Sequence, residues 1–315
     1  MKNFKSQLGG VKTAAIAGHI RPDGDCVGSC LATYNYIKQN YPQIDVTLYL
    51  EEIPNKFKFL AGADEIVHSF EEEKEYDLFI AQDCGDAARL GSAAALFAKA
   101  KNTVCIDHHI SNDSFADVNH IFPDASSTSE LVFGLIGEEN LTKEIAECIY
   151  LGIVHDTGVF QYSCTSSKTM EIAGKLMEQG IDYSKIIDDT FYTKTFEQNQ
   201  ILGKALLSGR RFADDRIIAS VVTAEDMETY HVLPKHLDGI VNQLRITRGV
   251  EAAVFLYENE DGAYKVSTRS NGLVDVAALA MKFGGGGHRQ AAGFSMNGKP
   301  WEIISVIVSE LEKQL

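Results

Sequence analysis

The apolar run Thr103-Val104-Cys105-Ile106 stops abruptly at three polar residues, Asp107-His108-His109. The run is short, β-branched and followed by polar loop residues, which predicts a buried strand. In an open parallel sheet, side chains at the carboxyl ends of the strands line the ligand crevice. Two imidazoles and a carboxylate packed together there are costly to desolvate unless they hold a metal or a reacting proton. Three other segments repeat the theme, each placing Asp or His where a predicted element ends.

The first is the strand 13–17, which runs into Gly18-His19-Ile20-Arg21-Pro22-Asp23-Gly24-Asp25. Pro22 and Gly24 mark a turn, and a helix of small and apolar residues begins at Cys26. A second strand is expected over 46–50, with a short helix over 54–60. The third strand, 77–81, leads to Gln82-Asp83-Cys84-Gly85-Asp86, and a helix follows over 87–99. The stretch from 110 to about 150 reads as helical, and its apolar helix 145–153 ends at His155-Asp156-Thr157-Gly158. Strands alternating with helices through short connections indicate an α/β domain with a parallel sheet. We place it at 1–192, with a linker helix over 193–209 and a smaller α+β domain over 210–315. Strands are expected there over 216–222, 251–257 and 263–270, the last two joined by a hairpin turning on Asn259-Glu260-Asp261-Gly262.

A chain of 315 residues accommodates two such domains. Its 45% hydrophobic and 23% charged composition is that of a globular protein. No stretch approaches about 18 consecutive apolar residues, so no membrane span is expected. The amino-terminal residues lack a signal peptide's apolar core, and a cytoplasmic location is expected. The six cysteines contain no CxxC pair and read as reduced, buried thiols. Cys84, beside Asp83, is the one whose oxidation would touch the candidate site. The net charge, 29 − 44 = −15, argues against a protein that tracks long duplex nucleic acid. It leaves room for a short anionic substrate, because metal ions can supply local positive charge.

His19, Asp23, Asp25, Asp83, Asp107, His108, His109 and Asp156 therefore form one candidate cluster. Its carboxylates would repel one another if they converged without cations. Two divalent ions about 4 Å apart remove that penalty, share a carboxylate, generate hydroxide and clamp a phosphate. Mixed imidazole and carboxylate donors suit manganese, with zinc, iron or cobalt as alternatives. The competing structural reading is that each Asp caps a helix or closes a turn.

The segments His19-x-x-x-Asp23-x-Asp25, Asp83, Asp107-His108-His109 and Asp156 resemble the motifs of the DHH phosphoesterase superfamily. The segment Gly284-Gly285-Gly286-Gly287-His288-Arg289-Gln290-Ala291-Ala292-Gly293 is similar to the glycine-rich motif of the DHH-associated domain. Together they span most of the chain, which most resembles the stand-alone bacterial oligoribonuclease/pAp phosphatase branch. The resemblance implies two Mn2+ ions. One would be held by His19, Asp23 and Asp83, the other by Asp25, His108 and Asp156 with Asp83 bridging. Asp107 would support the ligands, His109 would face the scissile phosphate or the leaving group, and metal-activated hydroxide would attack the phosphate. Arg269, Ser270, Gly285, Gly286, Gly287 and His288 would bind substrate, the glycines by letting backbone N–H groups approach an anion. The implied substrates are short single-stranded RNA oligonucleotides, cleaved to mononucleotides, and 3′-phosphoadenosine 5′-phosphate. A homodimer is compatible with this reading. The alternatives are a phosphodiesterase for linear or cyclic dinucleotide messengers and a non-catalytic nucleotide-binding protein.

Overall fold

The computed structural model describes residues 4–71, 74–259 and 261–315. Residues 1–3 and Glu260 of the expected hairpin turn thus lie outside the described residues. The chain divides into two units, Met1–Thr193 and Lys194–Leu315. No helix among the described residues is long and apolar enough to cross a membrane.

The first unit is built on β1 (Thr13–Ala17), α1 (Gly24–Asn40), β2 (Asp45–Tyr49), β3 (Leu78–Gln82), α2 (Ala94–Lys99), β4 (Thr103–Asp107) and β5 (Val118–Ile121). These are followed by α3 (Thr128–Ile136), α4 (Lys143–Asp156), α5 (Ser167–Glu178) and α6 (Tyr183–Ile187). The five strands form one parallel sheet in the order β2-β1-β3-β4-β5. β3 and β4 are buried along their whole length, as strands covered on both faces must be. On one face Ala14, Ile16, Leu48, Ile80 and Val104 pack with the apolar sides of α1, α3 and α4. On the other, Ala15, Tyr49, Phe79 and Ala81 pack against Leu90 and Leu96. Because β2 and β3 flank β1 on opposite sides, the winding reverses between β1 and β3. That is where a doubly wound sheet opens its crevice, at the carboxyl ends of the strands.

Three local expectations change. The residues read as helical after 109 include β5, whose Val118-Asn119-His120-Ile121 has no apolar period and is recruited by pairing with β4. The helix expected over 87–99 breaks at Gly91, where φ is 55° and a Cβ would meet Ile20 at 2.3 Å. And α4 continues through Asp156, so that residue is the helix's last and not part of a following turn.

The helices α1 and α4 approach closely because glycines face the contact. A Cβ on Gly28 would lie 2.4 Å from the Cys148 carbonyl oxygen. One on Gly152 would lie 1.9 Å from Ser129 Oγ and 2.7 Å from Asp25 Oδ1.

The second unit runs α7 (Phe196–Leu207), β6 (Arg210–Phe212), β7 (Ile217–Val222), α8 (Ala224–Thr229), α9 (Ile240–Arg245) and β8 (Ala252–Glu258). It continues with β9 (Tyr264–Ser270), α10 (Val276–Lys282), β10 (Gly286–His288), β11 (Ala291–Met296) and α11 (Pro300–Glu312). Its mixed sheet has the order β10-β11-β9-β8-β7-β6, parallel only between β7 and β8. Helix α7, expected as a linker, buries Ile201 and Ala205 against Ile218, Val222 and Phe255. The opposite face packs Val254, Leu256 and Val266 against α10 and α11.

Candidate metal centre

The centre gathers where β1, β3 and β4 end. His19 follows β1, and its Nδ1–H donates to the Ile20 carbonyl at 2.9 Å. That leaves Nε2 facing Asp83 Oδ2 at 3.5 Å and Asp23 Oδ2 at 3.6 Å. His108 follows β4 and donates from Nδ1 to the Ala125 carbonyl at 3.4 Å. Its Nε2 faces Asp156 Oδ2 at 3.0 Å, Asp83 Oδ1 at 3.7 Å and Asp25 Oδ2 at 4.0 Å. Each ring is thus fixed through one nitrogen while the other points into the cluster, the usual arrangement of metal-ligating histidines. Asp83 presents a different oxygen to each imidazole. Its backbone sits at φ 56°, a left-handed conformation that a non-glycine residue adopts at a cost of roughly 1–3 kcal/mol.

Two carboxylates also do the structural work that the capping reading expects. Asp23 Oδ1 accepts the N–H groups of Asp25 and Cys26, capping α1, while its other oxygen faces His19. Asp25 is fully buried and accepts N–H bonds from Thr128 at 2.6 Å and Ser129 at 2.9 Å, at the start of α3. Asp23 divides the two tasks between its oxygens, whereas Asp25 Oδ2 both accepts the Thr128 N–H and faces His108.

Protonation follows from this crowding. Burial, reinforced by Asp83 and Asp156, pushes the Asp25 carboxyl well above the usual range. Burial also raises Asp156, against the pull of His108. Burial alone would depress His19, but its bonds to Asp23 and Asp83 outweigh it and lift the imidazolium to about 11. For His108, burial is likewise overcome, chiefly by Asp156, and the imidazolium rises to about 10. Cations placed between these groups would relieve the crowding of the carboxylates directly. Three groups, His19 with Cys26 and Asp83, Asp83 with His108 and His109, and Asp25 with His108 and Asp156, keep their donor atoms within 4.8 Å of one another. Oxygen and imidazole donors of this kind fit divalent manganese, zinc, iron or cobalt. The Cys26 thiol, raised by burial, points to the His19 carbonyl at 3.8 Å.

At the edge of the centre, His109 Nδ1 lies 2.7 Å from Asp107 Oδ1. Asn112 Nδ2 donates to Asp107 Oδ2 at 2.7 Å and to the Cys84 carbonyl at 2.9 Å. Burial opposes the charge on Asp107, yet His109 and Asn112 hold its carboxyl below the usual value. The bond to Asp107 in turn raises His109, which is 43% exposed at its side chain. All eight residues of the candidate cluster therefore lie at one end of the first sheet. Sequence reasoning missed Thr128 and Ser129, which bond Asp25 and Asp83 partly through backbone N–H groups. The Ser127-x-x-Glu130 spacing ahead of an apolar run was the available signal.

The remaining predicted residues belong to the second unit. Arg269 lies on β9, opposite Ala291, and donates from Nε to Asn242 Oδ1 at 3.1 Å. Ser270 is buried, and its Oγ accepts from the Gly272 N–H at 2.9 Å. Residues 286–288 form β10, with Gly286, Gly287 and His288 exposed. Packing explains two of the glycines. A Cβ on Gly285 would lie 2.2 Å from the Gly293 carbonyl oxygen, and one on Gly287 2.5 Å from that of Ala291. Gly286 has open space around it.

Comparison with known proteins agrees with this architecture. Residues 13–153 match the DHH family, N-terminal domain, and residues 214–315 match the DHHA1 domain. The bifunctional oligoribonuclease and PAP phosphatase NrnA of Bacillus subtilis is 30% identical over 310 residues, covering 95% of this chain and 94% of that one. The chain belongs to the DHH family. The Thermus thermophilus protein of the same name is 29% identical to this DHH chain over 287 residues, covering 90% of it and 84% of its relative. The crystal structure of an exopolyphosphatase-related protein from Bacteroides fragilis superposes with a TM-score of 0.90 at 27% identity. That match covers 98% of this DHH protein and 94% of the other chain. As a DHH phosphoesterase, the protein is a phosphoric ester hydrolase.

Proposed function

We propose that this DHH phosphoesterase is a manganese-dependent oligoribonuclease that hydrolyses short RNA oligonucleotides to mononucleotides and also dephosphorylates 3′-phosphoadenosine 5′-phosphate. The observation that carries the metal chemistry is Asp83, whose two oxygens each face a different imidazole Nε2. His19, Asp23 and Asp83 would hold one divalent cation, and Asp25, His108 and Asp156 the other, with Asp83 shared. Such a pair, when bound, activates water and neutralises phosphate charge. The substrate class is supported by the relatives named for oligoribonuclease and PAP phosphatase activity.

The chain's own residues supply the rest. His109, its imidazole oriented by Asp107, would hold a proton and serve as general acid toward the leaving-group oxygen. Asp107 and Asn112 keep that ring from turning away. Arg269, Ser270, Gly285, Gly286, Gly287 and His288 are the proposed nucleotide-binding residues. Arg269 would pair a phosphate with its guanidinium, and His288 with the exposed Gly286 and Gly287 would add donors. With a net charge of −15, such local donors and the cations oppose the long-range repulsion of an anionic substrate.

The test is a manganese assay across two- to five-nucleotide RNAs, linear and cyclic dinucleotide messengers, and the bisphosphate at equal concentration. Faster turnover of the RNAs and the bisphosphate is expected. Turnover confined to the dinucleotide messengers would replace this substrate assignment, and no release from any phosphoester would overturn the catalytic one.

A further inference from the structure

The helix start at Ser126–Glu130 is buried well beyond what a helix cap requires. Relative exposure runs from 0% to 2% across Ser126, Ser127, Thr128, Ser129 and Glu130. Five consecutive polar residues without solvent need partners within the protein; the Ser129 hydroxyl has none, and the bonds of the segment divide into two sets. One set faces the centre. Thr128 and Ser129 give their N–H groups to the two oxygens of Asp25. The Thr128 hydroxyl donates to Asp83 Oδ1 at 3.1 Å, the same oxygen that lies 3.7 Å from His108 Nε2.

The other set faces away and anchors the segment. Glu130 Oε2 accepts from Ser126 Oγ at 2.7 Å and from Thr169 Oγ1 at 2.8 Å. Its Oε1 pairs with Lys168 Nζ at 3.0 Å, and the Glu130 N–H donates to Ser127 Oγ at 3.0 Å. The anchor thus ties the segment to the start of α5. Gly152 completes the fit, since any side chain there would strike Ser129 and Asp25 together.

We infer that Ser126–Glu130 is a cradle that sets the orientation of Asp25 and Asp83 for a cation pair, with Thr128 as its positioning residue. The inference rests on the metal reading above and extends it to residues outside the ligand set. Stability alone does not explain the arrangement. Replacing buried charged groups with apolar ones of similar size is often neutral or stabilising, so a chain selected only to fold had simpler choices than Asp25 and its donors. The Thr128 hydroxyl also holds one carboxylate oxygen of Asp83 from outside the proposed ligand set. Second-layer donors of this kind change metal affinity when removed, typically by about 10–100-fold.

The experiment is Mn2+ titration of the full chain, read by the electron paramagnetic resonance of free Mn2+, with wild type, Thr128→Val and Thr128→Ser. Valine keeps the shape and removes the hydroxyl, whereas serine keeps the hydroxyl. The expected result is that Thr128→Val weakens at least one Mn2+ by roughly 10–100-fold and that Thr128→Ser returns it to the wild-type range. Should the valine variant not fold, Thr128→Ala takes its place against the same serine variant. Wild-type affinity in the folded valine or alanine variant, or equal weakness in the serine variant, overturns the cradle. Failure of the wild type to bind Mn2+ overturns the metal reading instead.

Discussion

The two units carry their candidate residues in opposite physical states. In the first, eight side chains are gathered at one sheet end, and Asp25, Asp83 and Asp107 are buried and held by hydrogen bonds. In the second, His288 and Gly286 are exposed, and Arg269 and Ser270 are bonded to their own neighbours. The contrast teaches where function can be read from geometry. Buried like charges are tolerated only for a purpose, so their convergence is informative. Exposed glycines and a surface histidine cost little and therefore signify little by placement alone.

The sharpest way to break the contrast is Asp83→Ala. It should lower phosphate or nucleotide release by roughly 10³-fold, the upper range for losing one preorganised electrostatic group. Turnover near that of wild type would show that the buried cluster is not the reacting one. Next in size is the response to cations. At a concentration of 100 times the dissociation constant, Mn2+ should stabilise the first unit by about 2.7 kcal/mol. Hydrogen exchange should then slow in α1, β3 and β4 and stay unchanged in β8 and β9. Equal slowing in both units would remove the distinction. Smaller again, Arg269→Ala or His288→Ala should raise KM by roughly tenfold, about 1.4 kcal/mol, with kcat changed less. A kcat loss at constant KM would move these residues from binding into the reaction.

A last effect, read on stability and not on turnover, concerns pH. His19 and His108 have folded-state values raised to about 11 and about 10. A raised value means their contribution is fully present below the unfolded value near 6.5 and is lost as pH climbs through about 10 to 11. Denaturant unfolding of the metal-free protein should therefore show stability falling over that window. The fall should be shallower in His108→Gln, and an identical slope would remove His108 from the ion-paired network.

The same contrast explains how much was legible beforehand. β1, β3 and β4 could be read because unbroken apolar runs end in polar residues, and the parallel sheet followed from their alternation with helices. β10 and β11 could not. Gly286-Gly287-His288 and Ala291-Ala292-Gly293 have poor strand propensity and become strands by pairing with each other and β9. β5 was lost for a related reason, its single buried residue, His120, giving no alternation. At the site, ligand-type side chains were visible in the text. The donors from Thr128 and Ser129 were less so, because backbone N–H groups leave no mark on residue identity.

Gly28 and Gly152 give the first unit a further property. Asp25 and Asp156 ride on separate helices, and the spacing of those helices is set by two methyl groups that are not there. Adding either one would act as a wedge, prying Asp25 from Asp156 without altering either carboxylate. Changes at these silent positions would thus detune the enzyme while every residue of its signature stayed intact.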